Sequence, residues 1–228
     1  MNALDALPSI LVTLAAGAWT AARIAAGALV IALAGGLALA LLVHASSGGS
    51  LAGRLLRGVV AALIEWARNV PALAHLFLLY FGLASVGLRL SPMAAAILGL
   101  GGIGAATLCD VFVAALKSLH VGQREAALAA GLTPWQTLRF VLLPQMLRLV
   151  MPALANFASQ LLKDTSLASA IAAPEIMFFA RQLVTSTFQT PLIYASALAL
   201  YAAMLLPLGW VLSRFETRLT RGRLEATP

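Results

Sequence analysis

Polar residues that interrupt long apolar runs are where this chain can do chemistry, and they fall into two groups. Asn156, Ser159, Gln160 and Lys163 recur at spacings of three and four, so on a helix they form one stripe with Asp164 beside its end. A charge at the centre of a bilayer costs about 2.5 to 3.5 kcal/mol even on the insertion scale, so such a stripe belongs in a protein interior or beside a hydrophilic pathway. The second group is Glu65, Arg68, Asn69, Val70 and Pro71. Proline lacks a donor and disfavours helix just before it, so the chain is expected to break near Asn69 and Val70. Non-helical backbone at membrane depth is tolerated only where it is buried in protein or lines a wet cavity. A lysine, an aspartate and freed backbone groups can together hold both ends of a zwitterion. The candidate pathway residues are therefore Asn69, Val70, Pro71, Asn156, Gln160, Lys163 and Asp164. Two plainer readings stand beside this one: Lys163 snorkels at a helix end, and Glu65 with Arg68 at i,i+3 forms a structural ion pair.

The elements that must carry these groups are membrane helices. Of 228 residues 61% are hydrophobic and only 10% charged, against about a quarter charged in soluble proteins. The mean hydropathy is +0.95, with 18 Gly and 10 Pro, as in polytopic helical membrane proteins. A crossing takes about 20 apolar residues, so the chain is read as a single all-α transmembrane domain over 1–228, with no separate soluble domain. Residues 24–43 carry no charge and give the first crossing, preceded by an uncleaved interfacial lead-in over 1–22. A second crossing spans Val59 to Leu83, and Ser91 with Pro92 caps a third that runs to Leu116. Thr133, Pro134, Trp135 and Gln136 read as a capping box that starts the helix feeding the fourth crossing, Val141 to Leu162, with Pro144 and Pro152 as kinks. The fifth crossing is Leu192 to Leu212, so the five-helix core covers 23–213 and the tail 214–228.

Charge placement orients the bundle. Arg54, Arg57, Lys117, Arg124, Arg139, Arg214, Arg218, Arg221 and Arg223 fall on one side, and only Arg89, Lys163 and Arg181 on the other. By the positive-inside rule the N-terminus is outside and the C-terminus cytoplasmic, with the +7 net charge reporting orientation rather than nucleic acid. Other chemistries find little footing. Cys109 is the single cysteine, and His44, His75 and His120 lie too far apart for a metal motif. No Ser, His, Asp nucleophile set is apparent, and hydroxyls such as Thr165 and Ser166 suit helix packing or a pathway. The only lysines, Lys117 and Lys163, follow no glycine, so there is no phosphate-binding G-x-x-x-x-G-K-[ST] loop.

The most specific pattern lies between Gln123 and Pro144. Glu125, Ala126, Ala127, then Gly131, then Val141, Leu143 and Pro144 match the EAA signature of E-A-A, three residues, G, nine residues, an aliphatic, one residue, L-P. Here the chain resembles the inner-membrane permease subunit of binding-protein-dependent ABC importers. Arg68 to Leu73 followed by Leu76, Phe77, Tyr80, Phe81 and Gly82, the L-L-P-Q of Leu142 to Gln145, and the L-L-K-D-T-S-L of Leu161 to Leu167 are similar to its polar amino acid branch. The likeness runs from about Thr20 to Leu219. It implies a type I permease core in a bacterial inner membrane and a coupling loop over 117–139, in which Glu125 to Gly131 seats in a groove of a separate ATPase. ATP and Mg would then be bound by that ATPase, leaving no cofactor and no enzymatic activity in this chain. A second permease, identical or homologous, an extracytoplasmic solute-binding protein and a polar amino acid substrate are the further partners implied. Alanines at 126, 127, 129 and 130 suit close docking, Gly131 a sharp exit, and Glu125 a charge near the helix start.

The pattern also has departures. Asn69 and Val70 stand in place of Gly and Thr before Pro71, Val113 where an arginine usually follows the acidic residue, here Asp110, and His120 and Val121 in place of Pro and Lys. Two other classes fit a small helical bundle with polar stripes: an ion-coupled carrier or channel that works without an ATPase, and a non-transporting scaffold.

Overall fold

A computed structural model describes residues 6–46 and 51–224, with side chains as far as Arg214. These residues are almost wholly helical, and no strand occurs among them. Helix α1 (Leu7–Ala45) is followed by α2 (Leu51–Asn69), α3 (Ala72–Ser85) and α4 (Pro92–Ser118). A short α5 (Val121–Ala129) precedes the long α6 (Pro134–Ile171), and α7 (Ile176–Thr187) and α8 (Thr190–Leu224) complete the chain.

Helix α1 corrects the expected interfacial lead-in. Its 39 residues form one unbroken rod of about 58 Å with residues 7–22 as its first turns, and residues 1–5 of the expected lead-in lie outside the described residues. Ile10 and Leu14 in those turns are buried against Ile176, Ala180, Ile193 and Ala197, so packing against α7 and α8 holds the segment in the bundle.

The directions of the helices follow from their contacts. Gly27 faces Ile97 and Gly36 faces Leu108, positions that rise together, so α1 and α4 run parallel. Two parallel helices in succession require a return between them, and α2 with α3 supplies it. Met146 and Val150 cluster with Phe112 and Ala115, whereas Leu161 clusters with Ala95, Ala96 and Leu100, so α6 runs back antiparallel to α4. Ile193 and Ala197 at the start of α8 lie against the start of α1, so α8 runs in the direction of α1 and α4.

Four described helices are long and apolar enough to span a bilayer, Leu7–Ala45, Pro92–Ser118, Pro134–Ile171 and Thr190–Arg214. The second expected crossing, Val59 to Leu83, is divided between α2 and α3, and the helical pattern is interrupted at Val70 and Pro71, as the proline predicts. The ends of α1 and α4, the start of α2 and the far end of α8 consequently share one end of the bundle, where Arg54, Arg57, Lys117, Arg124 and Arg139 also lie.

Close approach of α1 to α4 rests on absent side chains. A Cβ at Gly36 would lie 2.8 Å from the Leu108 Cβ and 3.0 Å from the Ala105 carbonyl, and one at Gly104 would lie 2.7 Å from the Ala32 Cβ. Small residues at such a seam let helices pack where no hydrophobic drive separates protein from lipid. Gly36→Val is therefore expected to destabilise the purified protein by about 1 to 3 kcal/mol, the cost of overpacking a filled interface. Gly102→Ala, whose added carbon meets nothing within 4 Å, should be close to neutral. Thermal unfolding in detergent checks both; equal effects would show that the seam does not depend on Gly36.

Candidate functional site

The loop between α4 and α6 is a built helix between two stops. His120 caps its start, its Nδ1 accepting from the Gly122 amide at 3.1 Å. At the other end Gly131 adopts φ +84°, and the Gly131 amide donates to the Leu128 carbonyl at 3.0 Å while the Leu132 amide donates to Ala127 at 3.1 Å. This pair of bonds is the Schellman ending, which needs a left-handed residue after the helix, and glycine takes that conformation without a Cβ penalty. Thr133 and Gln136 then make the expected capping box: the Thr133 amide donates to Gln136 Oε1 at 2.8 Å, and the Gln136 amide to Thr133 Oγ1 at 3.3 Å.

Glu125 differs from the sequence expectation in one respect. Helix α5 begins at Val121, so Glu125 sits in its second turn and the first turn holds no acidic residue. Its charge lies beyond the first turn, where the helix dipole is felt most. Glu125, Ala126, Ala129 and Ala130 are exposed, whereas Ala127 is buried. Exposed Val121, Leu128, Trp135 and Phe140 lie on the same segment, so an apolar surface accompanies Glu125.

A residue that sequence reasoning used only as a family mark ties this helix to the bundle. Gln145, directly after Leu143 and Pro144, donates from Nε2 to the Val141 carbonyl at 2.9 Å and to Gln123 Oε1 of α5 at 3.3 Å. Just upstream, residues 137–142 form a π-helical stretch. Pro144 cannot donate to the turn before it, and a wider helix there accommodates the missing bond.

The pathway candidates lie in two places. On α6, Asn156, Gln160 and Lys163 are exposed along one face, and Arg148 extends that face by two turns. Asp164 is half-buried and accepts from Gln160 Nε2 at 2.8 Å, and Ser159 bonds back to the Ala155 carbonyl at 3.1 Å. On α2, Asn69 donates to the Glu65 carbonyl at 2.8 Å and to Glu65 Oε2 at 2.9 Å. The Glu65–Arg68 ion pair is not formed. Arg68 bonds instead to Asp110 of α4, because Asn69 one turn on takes the Glu65 carboxylate and Asp110 faces Arg68 across the helix pair. Asp110 thus has a cation without an arginine at position 113. Val70 still bonds to the Trp66 carbonyl at 3.2 Å, and α3 restarts with Ala74 bonding to Pro71 at 2.9 Å. Among the described residues no hydrogen bond joins Asn69, Val70 or Pro71 to the α6 stripe; the two regions meet through Leu76, which clusters with Leu161 and Ala168.

Glu175 was not singled out in the sequence beyond a loop charge. It is fully buried at the start of α7, where its carboxylate accepts from the Met177 amide at 2.9 Å, the Phe178 amide at 2.8 Å and the Tyr201 hydroxyl of α8 at 2.7 Å. Its backbone lies against Gly17 of α1, so this residue, by side chain and backbone together, touches three helices. A carboxylate followed by an apolar helix, P-E-I-M-F-F, was the available signal.

The comparisons with known proteins fit this geometry. The model of the family described as binding-protein-dependent transport system inner membrane component matches residues 36–224. The chain belongs to this family of inner-membrane transport components. It is 33% identical over 192 residues to the glutamine transport system permease protein GlnP of Escherichia coli (strain K12), covering 83% of this chain and 87% of that one. It is 37% identical over 150 residues to the probable amino-acid ABC transporter permease protein YckA of Bacillus subtilis (strain 168), an alignment spanning 66% of each. A structure described as an amino acid ABC transporter with histidines superposes with a TM-score of 0.81 at 27% identity, over 90% of this chain and 94% of that one. The MetNI methionine ABC transporter in an inward-facing form gives 0.76 at 22% identity, over 91% and 96%, a likeness of fold. This family member is accordingly a multi-pass transport permease and not an enzyme.

Burial raises the Glu175 carboxyl above the ordinary glutamate range, against the opposing pull of the Met177 amide, the Tyr201 hydroxyl, the Phe178 amide and the Arg181 charge. The folded protein then holds this proton to higher pH than the unfolded chain. Its contribution to stability is full below the ordinary glutamate value of about 4.3 and is lost as pH rises through the raised value. The difference in thermal midpoint between wild type and Glu175→Gln should therefore shift against wild type as pH rises over that interval. A difference that shifts the other way contradicts the raised value.

Proposed function

We propose that this chain is the membrane subunit of an ATP-driven importer of polar amino acids, worked through α5 by an ATPase on the cytoplasmic side. The observation that carries the reading is α5 itself: a helix fixed at both ends, exposing Glu125, Ala126 and an apolar surface, and hydrogen-bonded through Gln123 and Gln145 to a membrane-crossing helix. A push on such a helix reaches α6 at Leu143 and Pro144. The shared end of α1, α4 and α8, with its arginines, is the cytoplasmic end by the positive-inside rule, so the N-terminus lies outside and the C-terminus inside.

In this reading Glu125, Ala126 and Gly131 form the seat for the ATPase, with Ala127 packed beneath them against the bundle, and ATP and Mg stay in that partner. Two such ATPases, a second permease, identical or homologous, and an extracytoplasmic solute-binding protein complete the importer. Closure of the ATPases moves α5 and tips the crossings between outward and inward access. Asn156, Gln160, Lys163 and Asp164 face the solute in transit, because an exposed polar stripe on a crossing helix requires water or another protein opposite it. The break at Asn69, Val70 and Pro71 lines the same pathway. The polar amino acid substrate is supported by the relatives, GlnP among them, that are named for amino acids.

The test is co-purification with uptake in proteoliposomes. Wild-type chain should retain an ATPase and import with ATP inside. Ala126→Trp should reduce retention about tenfold or more, the loss expected from overfilling a central docking position. Asp164→Ala should keep the ATPase bound while uptake falls or separates from hydrolysis. A chain that purifies alone and imports on an ion gradient without ATP is a carrier, and the proposal fails.

A further inference from the structure

Serine, threonine, aspartate and asparagine, the common helix caps, keep an acceptor oxygen throughout the neutral pH range. Position 120 departs from that rule. The start of α5 is capped by His120, whose Nδ1 accepts from the Gly122 amide at 3.1 Å. A backbone amide only donates, so Nδ1 carries a lone pair and the ring is neutral, with its hydrogen on Nε2. An imidazolium has a hydrogen on both nitrogens and accepts nothing.

A proton taken up by this ring acts on the helix twice. The Gly122 amide loses its acceptor, because two hydrogens now oppose each other and the ring must turn away. A positive charge also arrives at the positive end of the α5 dipole, where cations are disfavoured. The charged groups on the elements around the ring do not offset this. Lys117 lies near the end of α4, Arg124 and Glu125 on α5 and Arg139 on α6, and among the described residues none of them forms an ion pair with His120. The capped helix holds only the neutral ring, so the cap is present at high pH and lost as pH falls.

The consequence reaches past the cap. Helix α5 has nine residues, fewer than a helix needs to hold in water by itself, so its ends decide whether it forms. The His120 carbonyl accepts from the Gln123 amide at 3.0 Å, and Gln123 Oε1 is the acceptor for Gln145 of α6 at 3.3 Å. Opening the first turn therefore loosens the link between α5 and the crossing helix. We propose that His120 is a proton-operated latch: neutral, it fixes the first turn of α5 and with it the Gln123–Gln145 bond, and protonated, it releases both. Histidine is the side chain that changes charge between about pH 5 and 8, so the latch works near neutrality. That it faces the cytoplasm and there regulates the grip of an ATPase rests on the importer reading, whereas the latch itself is a property of this chain alone.

The test is amide hydrogen exchange of the purified full-length chain in nanodiscs, at about pH 8 and about pH 5.5, on either side of the histidine range. Protection factors over α5 remove the intrinsic pH dependence of exchange. Wild type should lose protection there about fivefold on acidification, the loss expected of one N-cap, while the amides around Leu108 of α4 keep theirs. His120→Asn, which accepts at both pH values, should stay protected at both, and His120→Ala should show the lowered value at both. Wild type that keeps its α5 protection at the lower pH overturns the latch. So does His120→Asn falling together with wild type, His120→Ala as protected as wild type at the higher pH, or a loss spread equally over α4. No ATPase is present in this experiment, so its outcome is independent of whether one binds α5.

Discussion

Hydrocarbon offers no hydrogen bonds, so each polar group on the crossings of this chain must find its partner in protein or in water. Most of the unusual features follow from that constraint. Asn69 turns back onto Glu65 at the broken end of α2. Arg68 reaches across to Asp110 on α4. Glu175 gathers two amides and a tyrosine hydroxyl at the start of α7. At Arg148, Asn156 and Lys163, exposed on the α6 face, the same constraint calls for a wet pathway or a neighbouring protein.

In the proposed importer the rest of the molecule turns a small polar surface into a lever. Helix α5 is nine residues long, too short to be stable alone, and is held by His120, the Gly131 ending and the Gln123–Gln145 bond. Because Gln145 belongs to the same helix as the polar stripe, its bond to Gln123 joins α5 to the crossing that bears Asn156 and Lys163, the route by which the proposed coupling would travel. The glycine seam between α1 and α4 supplies the rigid frame against which such a movement can act.

Much of this was legible in the residues. The break before Pro71, the Ser91 and Thr133 caps and the Gly131 exit depend on local backbone rules and appear where those rules put them. The continuous α1 was not legible, because an apolar stretch reads alike whether it rests at an interface or packs against Ile176 and Ile193 from the far end of the chain. The partner of Arg68 was misread for the same reason: spacing shows the near candidate, Glu65, and conceals Asp110, which lies 42 residues away. The bond of Glu175 to Tyr201 and the contact of its backbone with Gly17 depend on three helices meeting, which no local pattern records.

The account turns on α5 being a cytoplasmic surface covered by another protein. Side-selective labelling tests this most directly: Ala126→Cys in a Cys109→Ser background, probed with a membrane-impermeant maleimide on spheroplasts and on inverted vesicles. The account predicts labelling only in inverted vesicles stripped of peripheral subunits, and protection when the ATPase is restored. Labelling from the outer face, or labelling that the ATPase leaves unchanged, would contradict it.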